Sequence, residues 1–193
     1  MIETAIFGGS FNPIHRAHVE IALHALSSGM VEELWLLVSP QNPLKKNDEL
    51  LPDELRLRLA KVAVRNYPNI RVSDFEFHLP KPSYMVRTLE RMEKAYPDRR
   101  FSLLIGADNW ERFDKWYQSG RIIERYQILI YPRKGFTMNT DKLPENVRLL
   151  KMPLYDISAT QIRHALKNGR DVSMWVDSEV SRILYDEYRI ARP

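Results

Sequence analysis

Residues 7–18 read FGGSFNPIHRAH. A short apolar strand (Thr4, Ala5, Ile6, Phe7) runs into Gly8 and Gly9, a turn with Asn12 and Pro13 follows, and His15 and His18 open a helix. Glycines at a strand end let the backbone approach a ligand that a side chain would block. The N-terminus of the next helix offers N–H donors and the positive end of a dipole, which suits a phosphate. Imidazoles at i and i+3 project toward the same place and can donate to that anion. No GK[ST] follows the glycines and the spacing is not GxGxxG, so neither common nucleotide fingerprint applies. Two histidines could suggest zinc, but there is no HExxH helix and no evident third ligand. The segment reads as a nucleotide phosphate site with no protein-bound metal.

Three further segments carry chemistry. In ISATQIR (157–163), Ser158 and Thr160 stand where a helix begins and Arg163 lies one turn on, a second set of phosphate donors. The plainer account of Ser158 is an N-cap. In LIGADNWERFDKW (104–116), Gly106 permits close approach at a strand end, Asp108 can accept from ribose hydroxyls, and Trp116 and Tyr117 can stack on a flat ring. In SPQNPLKK (39–46), Lys45 can reach a phosphate, whereas Lys46 is better read as solvated.

The elements that position these residues alternate along the chain. Leu34–Ser39 and Phe101–Ile105 are continuous apolar runs, as in strands covered on both sides. Further strands are predicted at Ile70–Ser73, Gln127–Tyr131 and Val147–Lys151. Helices are predicted from Ala17 to Ser28, Pro52 to Tyr67, Ser83 to before Pro97, Ser158 to Lys167 and Ser178 to Tyr188. Shorter helical pieces fall near Asn109–Phe113 and Ser119–Arg125, and Phe75–Pro82 reads as irregular. This alternation predicts an α/β fold with a mostly parallel sheet and helices on both faces, a single domain over 1–193. Sites in such folds lie at the carboxyl ends of the strands, where the strand order reverses.

Composition bounds the rest. The chain has 193 residues, ample for one core, and its apolar and charged fractions are ordinary. The absence of cysteine excludes disulfides and thiolate catalysis. No apolar run approaches the roughly 18 residues of a membrane span, and the first residues lack a secretory pattern, so a cytoplasmic protein without membrane contact is expected. The net charge of +4 is modest and no basic stripe is interleaved with aromatics, which argues against nucleic acid as a partner. A homo-oligomer is compatible with the sequence.

FGGSFNPIHRAH resembles the GGSFDPxHxxH signature of the HIGH-superfamily nucleotidyltransferases, and ISATQIR resembles their ISSTxIR signature. The segments SPQNPLKK, PSYMVRTLE and IGADNW…KW are similar to those of bacterial nicotinate-nucleotide adenylyltransferases, in the same order from Ile6 to Arg163. The resemblance implies a Rossmann-like fold and transfer of AMP from ATP to nicotinate mononucleotide, with Mg²⁺ held mainly by the ATP phosphates. It further implies that His15, His18 and Arg163 are catalytic. Gly8, Gly9, Ser10, Phe11, Gly106, Asp108, Ser158 and Thr160, with His18 and Arg163, would bind ATP. Asn12, Lys45, Tyr84, Met85, Trp116, Tyr117 and Arg133 would bind the mononucleotide. Three positions depart from the pattern: Asn12 stands for Asp, Ala159 for Ser, and Met85 for the usual Thr beside the pyridine site. Loss of that hydroxyl leaves the carboxylate to backbone N–H groups, and it keeps nicotinamide mononucleotide open as the acceptor. Phosphopantetheine fits the Trp116 region and the chain length less well, and a non-catalytic ATP sensor would have no use for leaving-group stabilisers.

Overall fold

The structure is a computed structural model that describes residues 1–40 and 50–190. Six strands form one sheet: β1 (Ile2–Gly9), β2 (Glu33–Val38), β3 (Ile70–Ser73), β4 (Arg99–Gly106), β5 (Gln127–Tyr131) and β6 (Val147–Leu149). Their order is β3-β2-β1-β4-β5-β6 and every neighbouring pair is parallel. The chain builds outward from β1 to β3, returns past β1, and continues outward from β4. The order therefore reverses between β1 and β4, which opens a crevice at their carboxyl ends.

Both faces of the sheet are covered, because alternate residues of each strand enter different cores. Ala5, Phe7, Leu34, Leu36, Leu104 and Leu129 pack on one side with α1 (Arg16–Ser27), α2 (Asp53–Ala63), α6 (Ala159–Lys167) and α7 (Ser178–Tyr188). Ile6, Trp35, Leu37, Leu103, Ile105 and Ile128 pack on the other, against α3 (Met85–Ala95) and α5 (Ser119–Arg125). A one-turn helix, α4 (Ala107–Trp110), directly follows β4. Double burial explains the unbroken apolar runs: each such side chain contributes about 1.5–3 kcal/mol on leaving water.

The predicted strands all form, and α/β architecture with helices on both faces is observed. Two details differ. The helix expected to reach Tyr67 stops at Ala63, and residues 64–67 make a turn closed by Tyr67 N–H donating to Val64 C=O at 2.9 Å. Ser83 does not cap α3; Tyr84 occupies the N-cap position, and the buried Ser83 hydroxyl bonds the Glu76 carboxylate instead. Glu76 lies on a short 3₁₀ turn (Phe75–His78) inside the stretch expected to be irregular.

Candidate active site

The polypeptide leaves β1 at Gly9 and turns sharply. Phe11 adopts a left-handed conformation (φ 43°), a strained one for an aromatic residue, and its buried ring swings back beneath the strand. A Cβ on Gly9 would meet that ring at 3.2 Å, and one on Gly8 would meet the Met85 methyl at 3.0 Å. The space expected to admit a ligand backbone-close is thus partly filled by Phe11 and Met85. Phe11 in turn presents its edge to Phe7 (5.6 Å between centroids) and to His18 (5.0 Å).

His15 is the N-cap residue of α1, and its ring stacks on that of His18 at 3.6 Å and 21°. The His15 backbone N–H donates to His18 Nδ1 at 3.2 Å. A neutral His18 with Nδ1 accepting carries its proton on Nε2, so the ring is fixed as an Nε2–H donor. His15 is buried, and burial followed by the charge of Arg133 pushes its pKa down to about 3. It is a neutral imidazole near pH 7, able to donate or accept but not to supply charge.

The helix end itself is less open than the sequence suggests. The Arg16 N–H donates to the Trp175 carbonyl at 2.8 Å and the His18 N–H to the His15 carbonyl at 2.9 Å. Side chains therefore carry more of the anion-binding potential here than backbone donors do.

The donors of the 157–163 segment reach those of the first. Arg163, on α6, donates from Nη1 to the Asn12 carbonyl at 2.9 Å and from Nη2 to the Thr160 hydroxyl at 3.4 Å. Ser158 is the N-cap of α6, its Oγ accepting the Gln161 N–H at 3.2 Å, so the plainer account of this residue holds. Asn12 is buried and accepts the Leu51 N–H on Oδ1 at 2.9 Å. On the other side Arg133, just past β5, pairs with Asp108 of α4 (Nε to Oδ1, 3.3 Å). Residues 151 positions apart in the chain thus meet at one end of the sheet.

Beside these groups lies an open cavity, walled by Gly8, Gly9 and Gly106 on the strand ends, by Tyr84 and Met85 at the start of α3, and by Trp116 and Tyr117. The Tyr84 and Tyr117 rings are 4.6 Å apart and the Arg87 guanidinium lies 5.2 Å from the Tyr117 centroid. Trp116 is half-buried, and its buried indole N–H has no partner among the described residues. Gly106 has no room for a side chain, since an added Cβ would meet the Tyr131 ring at 3.0 Å and press into the Asp108 carboxylate. His15, His18, Arg163, Asp108 and Arg133 do not line this cavity. Phe7 and Tyr131 do, and they join the two regions: Phe7 faces His18 at 6.0 Å, and the Arg133 guanidinium lies 5.9 Å from the Tyr131 ring.

Residues 6–165 match the cytidylyltransferase-like family model. This chain belongs to the cytidylyltransferase-like family. Among curated members, a protein of Bacteroides thetaiotaomicron named "Probable nicotinate-nucleotide adenylyltransferase" is 53% identical, the alignment covering 93% of this chain and 89% of the relative. A Porphyromonas gingivalis protein of the same name is 41% identical over 90% of this chain and 88% of its own. A Plasmodium falciparum nicotinic acid mononucleotide adenylyltransferase, solved in complex with NaAD, superposes with a TM-score of 0.82 over 99% of both chains; at 19% identity this is a likeness of fold. Against that family frame, two buried residues escaped the sequence reading. Arg56, fully buried on α2, donates to the Leu51, Ser10 and Ser39 carbonyls and pairs with Asp53. Glu76 lies in the cavity wall. Both look like surface charges in sequence, and no local pattern marks them. Lys45 lies outside the described residues.

Among the described residues no three His, Cys, Asp or Glu side chains gather as a metal cage, and no helix is long and apolar enough to cross a membrane.

Proposed function

We propose that this chain transfers the adenylyl group of ATP to nicotinate mononucleotide, yielding nicotinate adenine dinucleotide and pyrophosphate, a step of NAD biosynthesis. The observation that carries the proposal is the pairing of two unlike half-sites at the β1–β4 crevice. One holds His18 of α1 and Arg163 of α6, with the Arg133–Asp108 pair on the other side; the other is an aromatic cavity that ends at the N-terminus of α3. Triphosphate suits the first and a pyridine ring the second. The first turn of α3 carries no acidic residue and no side-chain cap of its own, and the Glu76 carboxylate reaches this turn through the Thr88 hydroxyl, which leaves the leading N–H groups in need of an acceptor. A pyridine carboxylate meets that requirement through backbone N–H groups, with Met85 contributing no hydroxyl. The same methionine supports nicotinamide mononucleotide as the second reading.

In this scheme Trp116 stacks on the pyridine ring, with its indole N–H turned to a substrate oxygen, and Asp108 takes ribose hydroxyls. A phosphate oxygen of the mononucleotide attacks the α-phosphorus of ATP in line. The bond from that phosphorus to the bridging oxygen breaks, and pyrophosphate departs with the electron pair. The attacking group is already anionic, so no side chain need remove a proton. The enzyme's task is to align two mutually repelling phosphates and stabilise charge on the bridging and leaving oxygens. His18 Nε2–H and Arg163 serve the leaving side, and neutral His15 holds His18 in register by stacking. ATP enters as its magnesium complex, the ion held mainly by phosphate oxygens and water.

Pyrophosphate release is measured with magnesium and ATP plus nicotinate mononucleotide, nicotinamide mononucleotide or phosphopantetheine in turn. Turnover with the first is expected to exceed the others by at least tenfold; equal or greater turnover with either rival rejects the proposed acceptor.

A further inference from the structure

Glu76 has no part in the chemistry above, although it is only 3% exposed and stands in the cavity wall. Its partners are all hydroxyls. Ser39, just past β2, donates to Oε2 at 2.6 Å; Thr88, in the first turn of α3, donates to Oε1 at 2.8 Å; and Ser83, in the turn that enters α3, bonds the same carboxylate. Thr88 is fully buried and Ser83 nearly so. The Ser39 carbonyl accepts from Arg56 Nη1 at 2.9 Å, and that same nitrogen donates to the Ser10 carbonyl. An unbroken polar chain therefore runs from the phosphate loop through Arg56, Ser39 and Glu76 to the entry of α3.

A buried carboxylate is an expensive way to fill space. Desolvation raises its pKa above the ordinary carboxylate range, and the three hydroxyl bonds offset only part of that penalty. An apolar side chain would pack there at lower cost. What the carboxylate adds is geometry: it ties three separate pieces of chain to one point. The start of α3 and the end of β1 are neighbours here: Met85 and Gly8 wall the same cavity, and the Met85 methyl lies 3.0 Å from where a Cβ on Gly8 would stand.

We propose that Glu76 is a positioning residue: it sets the separation between the first turn of α3 and the end of β1, and so places the acceptor nucleotide relative to the phosphate loop. This rests on the reading of the aromatic cavity as the acceptor site. The test is steady-state kinetics with each substrate varied in turn, for the wild type, Glu76→Gln and Thr88→Val, alongside thermal melting. Glu76→Gln should raise KM for the mononucleotide about tenfold or more, while KM for ATP stays within about twofold and kcat changes less than the acceptor KM. Thr88→Val, which removes one donor and keeps the carboxylate, should move the same constant in the same direction by less. If both KM values rise together, or if melting falls with both KM values unchanged, Glu76 is merely structural and the proposal fails. Should Glu76→Gln not fold, Thr88→Val and Ser39→Ala decide the matter by the same split. A wild-type enzyme that uses only nicotinamide mononucleotide would refute the acceptor assignment, and the split measured with that acceptor would still judge Glu76.

Discussion

Replacing His18 separates catalysis from folding. Its Nδ1 accepts the His15 N–H at 3.2 Å, and its ring packs on His15 and edge-on to Phe11 and Phe7. Removing the ring to Ala forfeits an N-cap-like bond worth about 1 kcal/mol. The lost packing of a half-buried ring adds a comparable amount. A penalty of about 2 kcal/mol is a few degrees of melting temperature for a domain of this size, well inside the stability of a folded protein. The loss in turnover should be of another order. One donor aimed at charge that develops in the transition state is worth roughly 10²–10³ in kcat, about 2.7–4 kcal/mol. Two side chains divide these effects. Asn can place an oxygen where Nδ1 accepts, restoring the bond to His15 and most of the stability, yet it has nothing at Nε2. Pyrophosphate release at saturating ATP and mononucleotide, with melting curves on the same preparations, should therefore show His18→Ala impaired in both respects and His18→Asn stable but slow. A folded His18→Asn enzyme with near-normal kcat would refute the role assigned to Nε2.

His15 makes the acid limb of stability predictable. Its folded pKa of about 3 lies below the unfolded value of 6.5, so the unfolded chain binds the extra proton between those limits, and stability is present above pH 6.5 and drains away as pH falls toward 3. His15→Gln should flatten that limb by up to about 1.4 kcal/mol per pH unit in urea titrations at pH 4 to 7; an unchanged slope would mean His15 is not held neutral. Trp116→Ala should weaken mononucleotide binding at least tenfold while sparing ATP, by calorimetry with each nucleotide, and equal losses would take the indole out of the pyridine pocket. Gly106→Ala should lower the melting temperature by the equivalent of about 1–3 kcal/mol of overpacking and raise KM for ATP through displacement of Asp108. An alanine enzyme indistinguishable from wild type would show that the strand end has slack.

The parts of this molecule that follow from local pattern were open to reading in the sequence. Apolar runs such as 34–38 and 101–105 become central strands because both their faces are covered, and Ser158 caps α6 because a hydroxyl before a helix has few better uses. What stayed hidden depends on burial. Ser83 has the look of a helix cap, but its hydroxyl goes to Glu76, a partner only the fold supplies. Arg56 and Glu76 are charges that a one-dimensional reading sends to the surface, and His15 loses its capacity for charge through desolvation. The helix end expected to offer free amides is partly occupied by the Trp175 carbonyl, a contact across about 160 residues that no local window contains.

β1 and β4, the two strands on which the crevice is built, are flanked by hydrogen-bonded neighbours on either edge and by helices above and below. They are the last elements that thermal fluctuation would loosen, and their amides should be among the slowest to exchange with deuterium. Bond-making is thereby staged on an anvil. Whatever breathing admits two bulky dinucleotide halves and lets the joined product go has to come from the periphery, so mutations that tune throughput without touching affinity should be sought in the loops beyond the strand tips rather than in the sheet.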